Sequence, residues 1–277
     1  MQIQGKSQYY DSSKKRSTAL EELQEILRYR NLVMQFVRRD ILTRYKRSVL
    51  GIAWTMLTPL GTMLVLTIVF SRAFGVHEKG YAAYILSGLM AWTFFSQTTH
   101  AASVHLVWGG SLLNRIYVPR TVFAVSATGT GLVNLTISLI PLVLVTLLVG
   151  LPINLSALLI PIPMLFLAMF SLGLGLVISA IAIYFADVTE MYQVILTAWL
   201  YLSPVIWTEE QLPANWAPLI IRLNPMYYLI NLFRIPIYEG RVPTLSEFGI
   251  AGGIALITLI FGWWFFAKRA DEFAYRV

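Results

Sequence analysis

The ionisable groups closest to an apolar stretch are Asp187 and Glu190, in the turn YFADVTEMY, and the histidines His77, His100 and His105. Two carboxylates at this spacing suit a helix start, where Asp187 caps the first turn and Glu190 completes a capping box. Proton transfer is the competing role, and it lacks a second buried acid or base to form a relay. The histidines share no spacing with a carboxylate cluster, so no metal site is expected. His100 and His105 read as packing or lining residues of an apolar helix. The chain has no cysteine, which removes disulfides, thiolate metal sites and cysteine nucleophiles. No segment matches G-x-x-x-x-G-K-[ST], so the chain is expected to bind no cofactor, and any ATP-driven work must come from a partner. The glycines of SLGLGLVIS lie in an apolar run and suit close helix packing, not phosphate binding.

These few groups are set in a chain that is 57% hydrophobic and 13% charged, about half the charged fraction of a soluble domain. No Asp, Glu, Lys or Arg occurs from Thr121 through Ala186, nor from Tyr81 to Asn114. A helix needs about 20 apolar residues to cross about 30 Å of hydrocarbon, and runs such as LISLIPLVLVTLLVG lack the alternation of a barrel strand. The expected fold is an all-α membrane protein. Six transmembrane helices are placed at about 52–73, 82–104, 120–149, 155–185, 189–206 and 247–267. They form a transmembrane domain over 51–277, preceded by a tail and interface helix over 1–50.

In that leading region, Thr18 and Glu21 predict a capping box opening a short helix with Leu20, Leu23 and Leu27 on one side. The following segment, RNLVMQFVRRDILTRYKRSVLG, sets Leu32, Val33, Phe36, Val37, Ile41 and Tyr45 at helical spacing. Arg38, Arg39, Arg44, Lys46 and Arg47 fill the other faces. This predicts an amphipathic helix among the lipid headgroups on the cytoplasmic side, with a surface helix of a soluble domain as the alternative. No cleavable signal peptide is visible in the polar first fifty residues, so the amino terminus is expected to stay in the cytoplasm. Six spans return the carboxyl terminus to the same side. That orientation puts 16 basic residues inside and five outside, the asymmetry of the positive-inside rule. Topology thus accounts for the net charge of +7 without nucleic-acid binding.

Between the fifth and sixth spans, about 207–246 is too apolar for a solvated loop and is broken by Pro213, Pro218, Pro225, Pro236 and Pro243. Its segments NWAPLIIRL and NPMYYLINLF are too short to cross. They predict a re-entrant helical hairpin, and a cap lying flat on the outer surface is the alternative. After the second span, GGSLLNRIYVPRTV leaves room for one short helix carrying Leu112, Leu113, Ile116 and Tyr117, a docking element or a plain loop. Aromatics recur: Trp92, Phe94 and Phe95, then Trp199, Tyr201 and Trp207, then Tyr227 and Tyr228. Either they anchor the protein at the interface or some face a pore and stack on sugars.

RRDILTRYKRSVLGIAWTMLTPL, NRIYVPR, YFADV and SPVIW…LNPMYYLINLFR resemble, in order, the type-2 ABC transporter permeases that export polysaccharides. The resemblance implies a homodimer bound to two copies of an ATPase subunit that holds ATP and Mg. The cargo it implies is an undecaprenyl-linked glycan crossing the inner membrane. By position, Asn114, Arg115, Pro119 and Arg120 join Leu112, Leu113, Ile116 and Tyr117 in a coupling helix, with Asp187 beside it. Arg38, Arg39, Arg44, Tyr45 and Arg47 form the interface helix. Pro204, Asn224, Pro225, Tyr227 and Tyr228 belong to a gate that Trp92, Phe94, Phe95, Trp199, Tyr201 and Trp207 extend along the channel. The family often has Arg where this chain has Ala186, so a salt bridge there is not expected. RYKRSVLGIAW looks nearer to O-antigen exporters than to teichoic acid exporters, and the short SRAFGVHEKGY loop argues against drug-efflux members. An integral membrane transferase acting on a lipid-linked substrate would need Asp187 and Glu190 as its acid and base. A passive channel is the third reading.

Overall fold

The computed structural model describes residues 19–46, 48–73, 80–108, 119–208 and 221–269. These residues are helical wherever they are regular. The helices are α1 (Ala19–Arg28), α2 (Arg30–Tyr45), α3 (Ala53–Ala73), α4 (Tyr81–Trp108), α5 (Thr121–Leu148), α6 (Pro161–Tyr184), α7 (Val188–Tyr201), α8 (Pro225–Arg234) and α9 (Leu245–Ala267). A 3-10 turn at Leu155–Leu159 leads into α6, and a π-helical turn at Ile235–Glu239 extends α8. Among the described residues, four segments are long and apolar enough to cross a membrane: Ala53–Arg72, Thr121–Leu148, Leu155–Tyr184 and Leu245–Ala267.

α4 is as long as α5 and carries no Asp, Glu, Lys or Arg, but it is the bundle's centre and not its rim. Ile85, Leu86, Ala91 and Phe95 are wholly enclosed. α5 packs antiparallel to it, with Phe94 against Gly131 and Leu106 among Val122 and Phe123, and α6 packs parallel, with Phe95 on Phe170 and Ala102 on Gly175. α9 then runs parallel to α6. Their backbones touch where Gly173 faces Gly262 and Thr258, because a side chain on either glycine would overlap the other helix's main chain. Small residues of this kind let helices close on each other where no aqueous hydrophobic effect drives them together.

One end of the bundle gathers the last turns of α4, α6 and α9 and the first turn of α5. There Phe36 of α2 sits among Leu106, Phe123, Ala180 and Phe266, stacked on Phe123 at 5.6 Å. A helix forms over the expected interface segment, but Phe36 and Val37 are covered by the chain's own helices, while Met34 and Leu42 remain exposed. At the far end, Asn154 Nδ2 donates to the Gly240 carbonyl at 2.7 Å and Ser156 Oγ to that of Pro236 at 3.0 Å. These bonds join the α5–α6 connection to the turn before α9.

Two expectations about helix ends are corrected. The helix expected over 189–206 stops at Tyr201, where Pro204 disfavours helical backbone in the residue before it. At 14 residues, α7 is about 21 Å long. Asp187 stands at its N-cap position but has helical backbone angles (φ −64, ψ −16), and its side chain makes no capping bond. A cap needs extended backbone to aim the side chain at the free N–H groups. Asn224 (ψ 112) and Thr244 (ψ 159) have it, and both cap; Thr244 forms the full capping box with Glu247. The box expected at Thr18 begins outside the described residues.

Gly262→Val is expected to destabilise the fold by about 1–3 kcal/mol, because backbone cannot yield as a side chain does. Gly253→Val, with open space around it, should be close to neutral. Thermal unfolding of the two variants in detergent compares them directly.

Candidate functional site

α3 does not close against α4 and α5 along its length, although those two pack tightly on each other at Gly131. Between the three lies a cleft of about 420 Å³. α3 contributes Thr55, Thr58 and Thr62, α4 contributes Trp92, Thr93 and Gln97, and α5 contributes Asn134 and Ser138. Trp54 and Phe94 supply aromatic walls, Arg44 and Ser48 stand at one rim, and Leu200 reaches in from α7. Amides and hydroxyls within apolar helices face protein or a wet cavity, because lipid offers them no partner. The cleft wall is held by few bonds: Ser138 Oγ donates to the Thr55 carbonyl at 3.3 Å.

A second cavity of about 230 Å³ continues the first toward α2. Arg44, Gln97, Gly131 and Asn134 line both. Asp40 and His105 stand at the inner cavity's edge, with His105 Nδ1 3.8 Å from Asp40 Oδ2. Arg39 donates to Asp40 Oδ1 at 3.0 Å.

Behind the cleft, the chain from Leu202 to Thr208 is irregular and mostly buried. Irregular backbone that deep needs a partner for each polar group, and the partners are identifiable. Asn224 Nδ2 donates to the Leu202 carbonyl at 3.0 Å, Arg234 Nη2 to that of Pro204 at 2.8 Å, Tyr81 Oη to that of Ile206 at 2.7 Å and Tyr84 Oη to that of Trp207 at 3.0 Å. The Val205 N–H takes the Ser203 carbonyl at 2.7 Å.

Two side chains organise this bracing. Asn224 also donates to Ser203 Oγ and accepts from Met226 N–H and Trp199 Nε1. The Trp199 ring meets Trp92 and Phe95 edge-on, at 6.2 and 5.2 Å, so Asn224 is linked through one indole to the wall of the cleft. Arg234 is 3% exposed. Besides Pro204 it contacts the Tyr84 carbonyl, Ser87 Oγ and Asn231 Oδ1 at 3.2–3.4 Å, and its guanidinium lies 3.5 Å from the Tyr84 ring centroid. Gly88 makes the room: a side chain there would meet the guanidinium at 2.7 Å.

The structure separates the expected channel residues. Trp92 and Phe94 line the cleft, whereas Phe95 is fully enclosed between Phe170 and Trp199. Tyr201 is exposed, Trp207 is half-buried with Nε1 donating to the Tyr201 carbonyl, and Pro204 is buried. Pro225 opens α8, where Tyr227 and Tyr228 stack edge-on and Tyr228 Oη donates to the Arg222 carbonyl. At the α2 end, Arg38, Arg39 and Arg44 are exposed, Arg120 and Pro119 precede α5, and Asp187 is exposed at the α6–α7 turn. Leu112, Leu113, Asn114, Arg115, Ile116, Tyr117 and Arg47 lie outside the described residues, as do the Tyr45 side chain and most of NWAPLIIRL. The sequence reading passed over Gln97, Asn134, Tyr81, Tyr84 and the buried role of Arg234. Amides at mid-helix were the available signal for the first two.

The family model described as ABC-2 type transporter matches residues 31–238. The O-antigen export system permease protein RfbA of Myxococcus xanthus is 26% identical over 253 residues, covering 91% of this chain and 97% of that protein. A permease of the same name from Klebsiella pneumoniae is 23% identical over 246 residues, 88% of this chain and 94% of its own length. The capsule polysaccharide export inner-membrane protein CtrC of Neisseria meningitidis is 25% identical over 232 residues, 81% and 86% of the two chains.

The matched range takes in α8 and its buried arginine. Replacing Arg234 by Met leaves the Pro204 carbonyl without its donor, at a cost of about 1–3 kcal/mol, and should loosen the 202–208 segment before the bundle melts. The cysteine-free chain makes this measurable: Val205→Cys, buried in the parent, should react with a maleimide only in the Arg234→Met background. Equal protection in both backgrounds would show that the arginine does not hold the segment.

Proposed function

Because the chain belongs to the ABC-2 type transporter family, we propose that it is the permease subunit of an ATP-driven exporter that carries an undecaprenyl-linked, O-antigen-like polysaccharide across the cytoplasmic membrane. The observation that carries the cargo is the cleft. A lining of threonines, serine and amides with Trp54, Trp92 and Phe94 offers sugars hydrogen bonds and ring faces, and offers a bare ion or a purely apolar molecule little of use. The relatives named for O-antigen and capsule export point the same way.

In a bilayer, α3, α4, α5, α6 and α9 make five crossings. α7 and the braced 202–208 segment make the sixth, bent because the helix stops at Tyr201. α8 with its π-helical turn then dips back from the outer side, its buried face of Met226, Leu229 and Phe233 held by protein. The α2 end faces the cytoplasm, where the basic residues before α3 gather and both termini lie. Arg120 and Asp187 at that end are in reach of a separate ATP-binding subunit, which binds ATP and Mg in two copies per exporter.

A second copy of this chain completes the channel. Of the four long apolar segments, the one containing α6 is the most covered by its own chain and α3 the least. Together with the outward Met191, Val194 and Ile195 of α7, it borders the open side of the cleft. Two such clefts facing each other enclose a passage that one chain leaves open.

Co-expression with the ATP-binding subunit should give a complex of two copies of each. In inverted vesicles that complex should move lipid-linked glycan to the far leaflet only when ATP is hydrolysed. Thr62→Cys on α3 should cross-link the two copies. A permease that purifies without an ATPase, or glycan movement that ignores ATP, would remove the exporter reading.

A further inference from the structure

We propose that the 230 Å³ inner cavity between α2, α4 and α5 is a subsite for one uncharged sugar ring of the cargo, engaged before the glycan reaches the larger cleft; this rests on the exporter reading above. The argument starts from two hydroxyls. In these helices a threonine normally satisfies itself by donating to the carbonyl four residues earlier, as Thr62, Thr99, Thr128, Thr136 and Thr146 all do. Thr98 and Thr130 do not. Both line the inner cavity, they are 2% and 6% exposed, and neither hydroxyl has a partner. Asp40 Oδ2, at the same cavity, is buried without a hydrogen bond, its nearest basic group being His105 Nδ1 at 3.8 Å. Buried polar atoms left unpaired in the empty protein carry a desolvation cost that a ligand would relieve.

The mixture of groups identifies the ligand's chemistry. Asp40 can only accept, each threonine hydroxyl can donate and accept, and the amides of Gln97 and Asn134 do both. A sugar ring, whose every hydroxyl is donor and acceptor, matches that set. A phosphate would find Arg44 at the rim shared with the larger cleft, but it would meet the Asp40 carboxylate as a repelling charge and leave the threonine and amide acceptors unused. The volume corresponds to about eight waters at roughly 30 Å³ each, the scale of one ring and not of a chain. Gly131 lets the helices close around the site, since a side chain there would overlap Thr98 Oγ1 and press on Phe94.

The test uses the permease–ATPase complex in nanodiscs and two photoreactive probes with the same tail, an alkyl glucoside and an alkyl phosphate. The glucoside should label α4 and α5 around Thr98 and Thr130, and the double variant Thr98→Val/Thr130→Val should lose that labelling about tenfold. The variant should melt at or above the parent's temperature, since valine removes two unpaired hydroxyls without changing volume. Its half-saturating glycan concentration should rise about tenfold with unchanged maximal export. Preferential labelling of these helices by the phosphate probe would overturn the proposal. Labelling by neither probe would mean that the cavity holds water only, and a lower melting temperature would mean that the hydroxyls serve the fold. If the parent complex exports no glycan but the glucoside labels it and the variant loses the label, the exporter reading fails and the subsite stands.

Discussion

A guanidinium shut away from water is costly unless every N–H finds an acceptor, and a stretch of non-helical backbone inside a membrane protein is costly unless every carbonyl finds a donor. Arg234 and the 202–208 segment have these opposite needs and are placed against each other. The arginine gives its donors to the Pro204 and Tyr84 carbonyls, to Ser87 and to Asn231, and rests on the Tyr84 ring. Tyr81, Tyr84 and Asn224 take the neighbouring carbonyls. The interruption after Tyr201 is therefore a built element, and α8 and the first turns of α4 are fixed around it.

The cleft follows from that interruption. Because α7 stops short, it covers only part of the α4 face, and Leu200 near its end is its contribution to the lining. Trp199, one residue earlier, is turned the other way into Trp92, Phe95 and Asn224. One helical turn thus serves two environments, an open polar cleft and a closed aromatic core. The wall of the first is continuous through an indole with the bracing of the second.

The apolar runs made the long helices legible, and α3, α5, α6 and α9 lie within a few residues of their expected bounds. Periodicity spoke for α2, but it could not tell lipid from protein as the cover for Phe36 and Val37. The end of α7 was readable in Pro204 and was overridden by the apolar run that continues through Val205 and Ile206. Asp187 and Glu190 have the residue types of a cap, and only the backbone angles reveal that no cap forms. Arg234 counted as one more outer basic residue, since its burial depends on Gly88 and Tyr84, far off in the chain. Gln97 and Asn134 were passed over although they are amides in apolar helices, and their facing a common space is a fact of helix rotation that spacing alone does not supply.

The contact of Gly173 with Gly262 sets which parts of the molecule are free to travel. With main chain resting on main chain at that point, α6 and α9 have no side chain there to act as a gear, so neither turns or slides without lifting off the other. The pair behaves as a keel, stiff along its length. Any widening of the cleft then falls to α3 and the short α7, whose outward residues Leu64, Val65, Val194 and Ile195 are exposed on their own chain. How easily the cleft opens is therefore set by what covers those two helices from outside the chain, more than by the packing of the core.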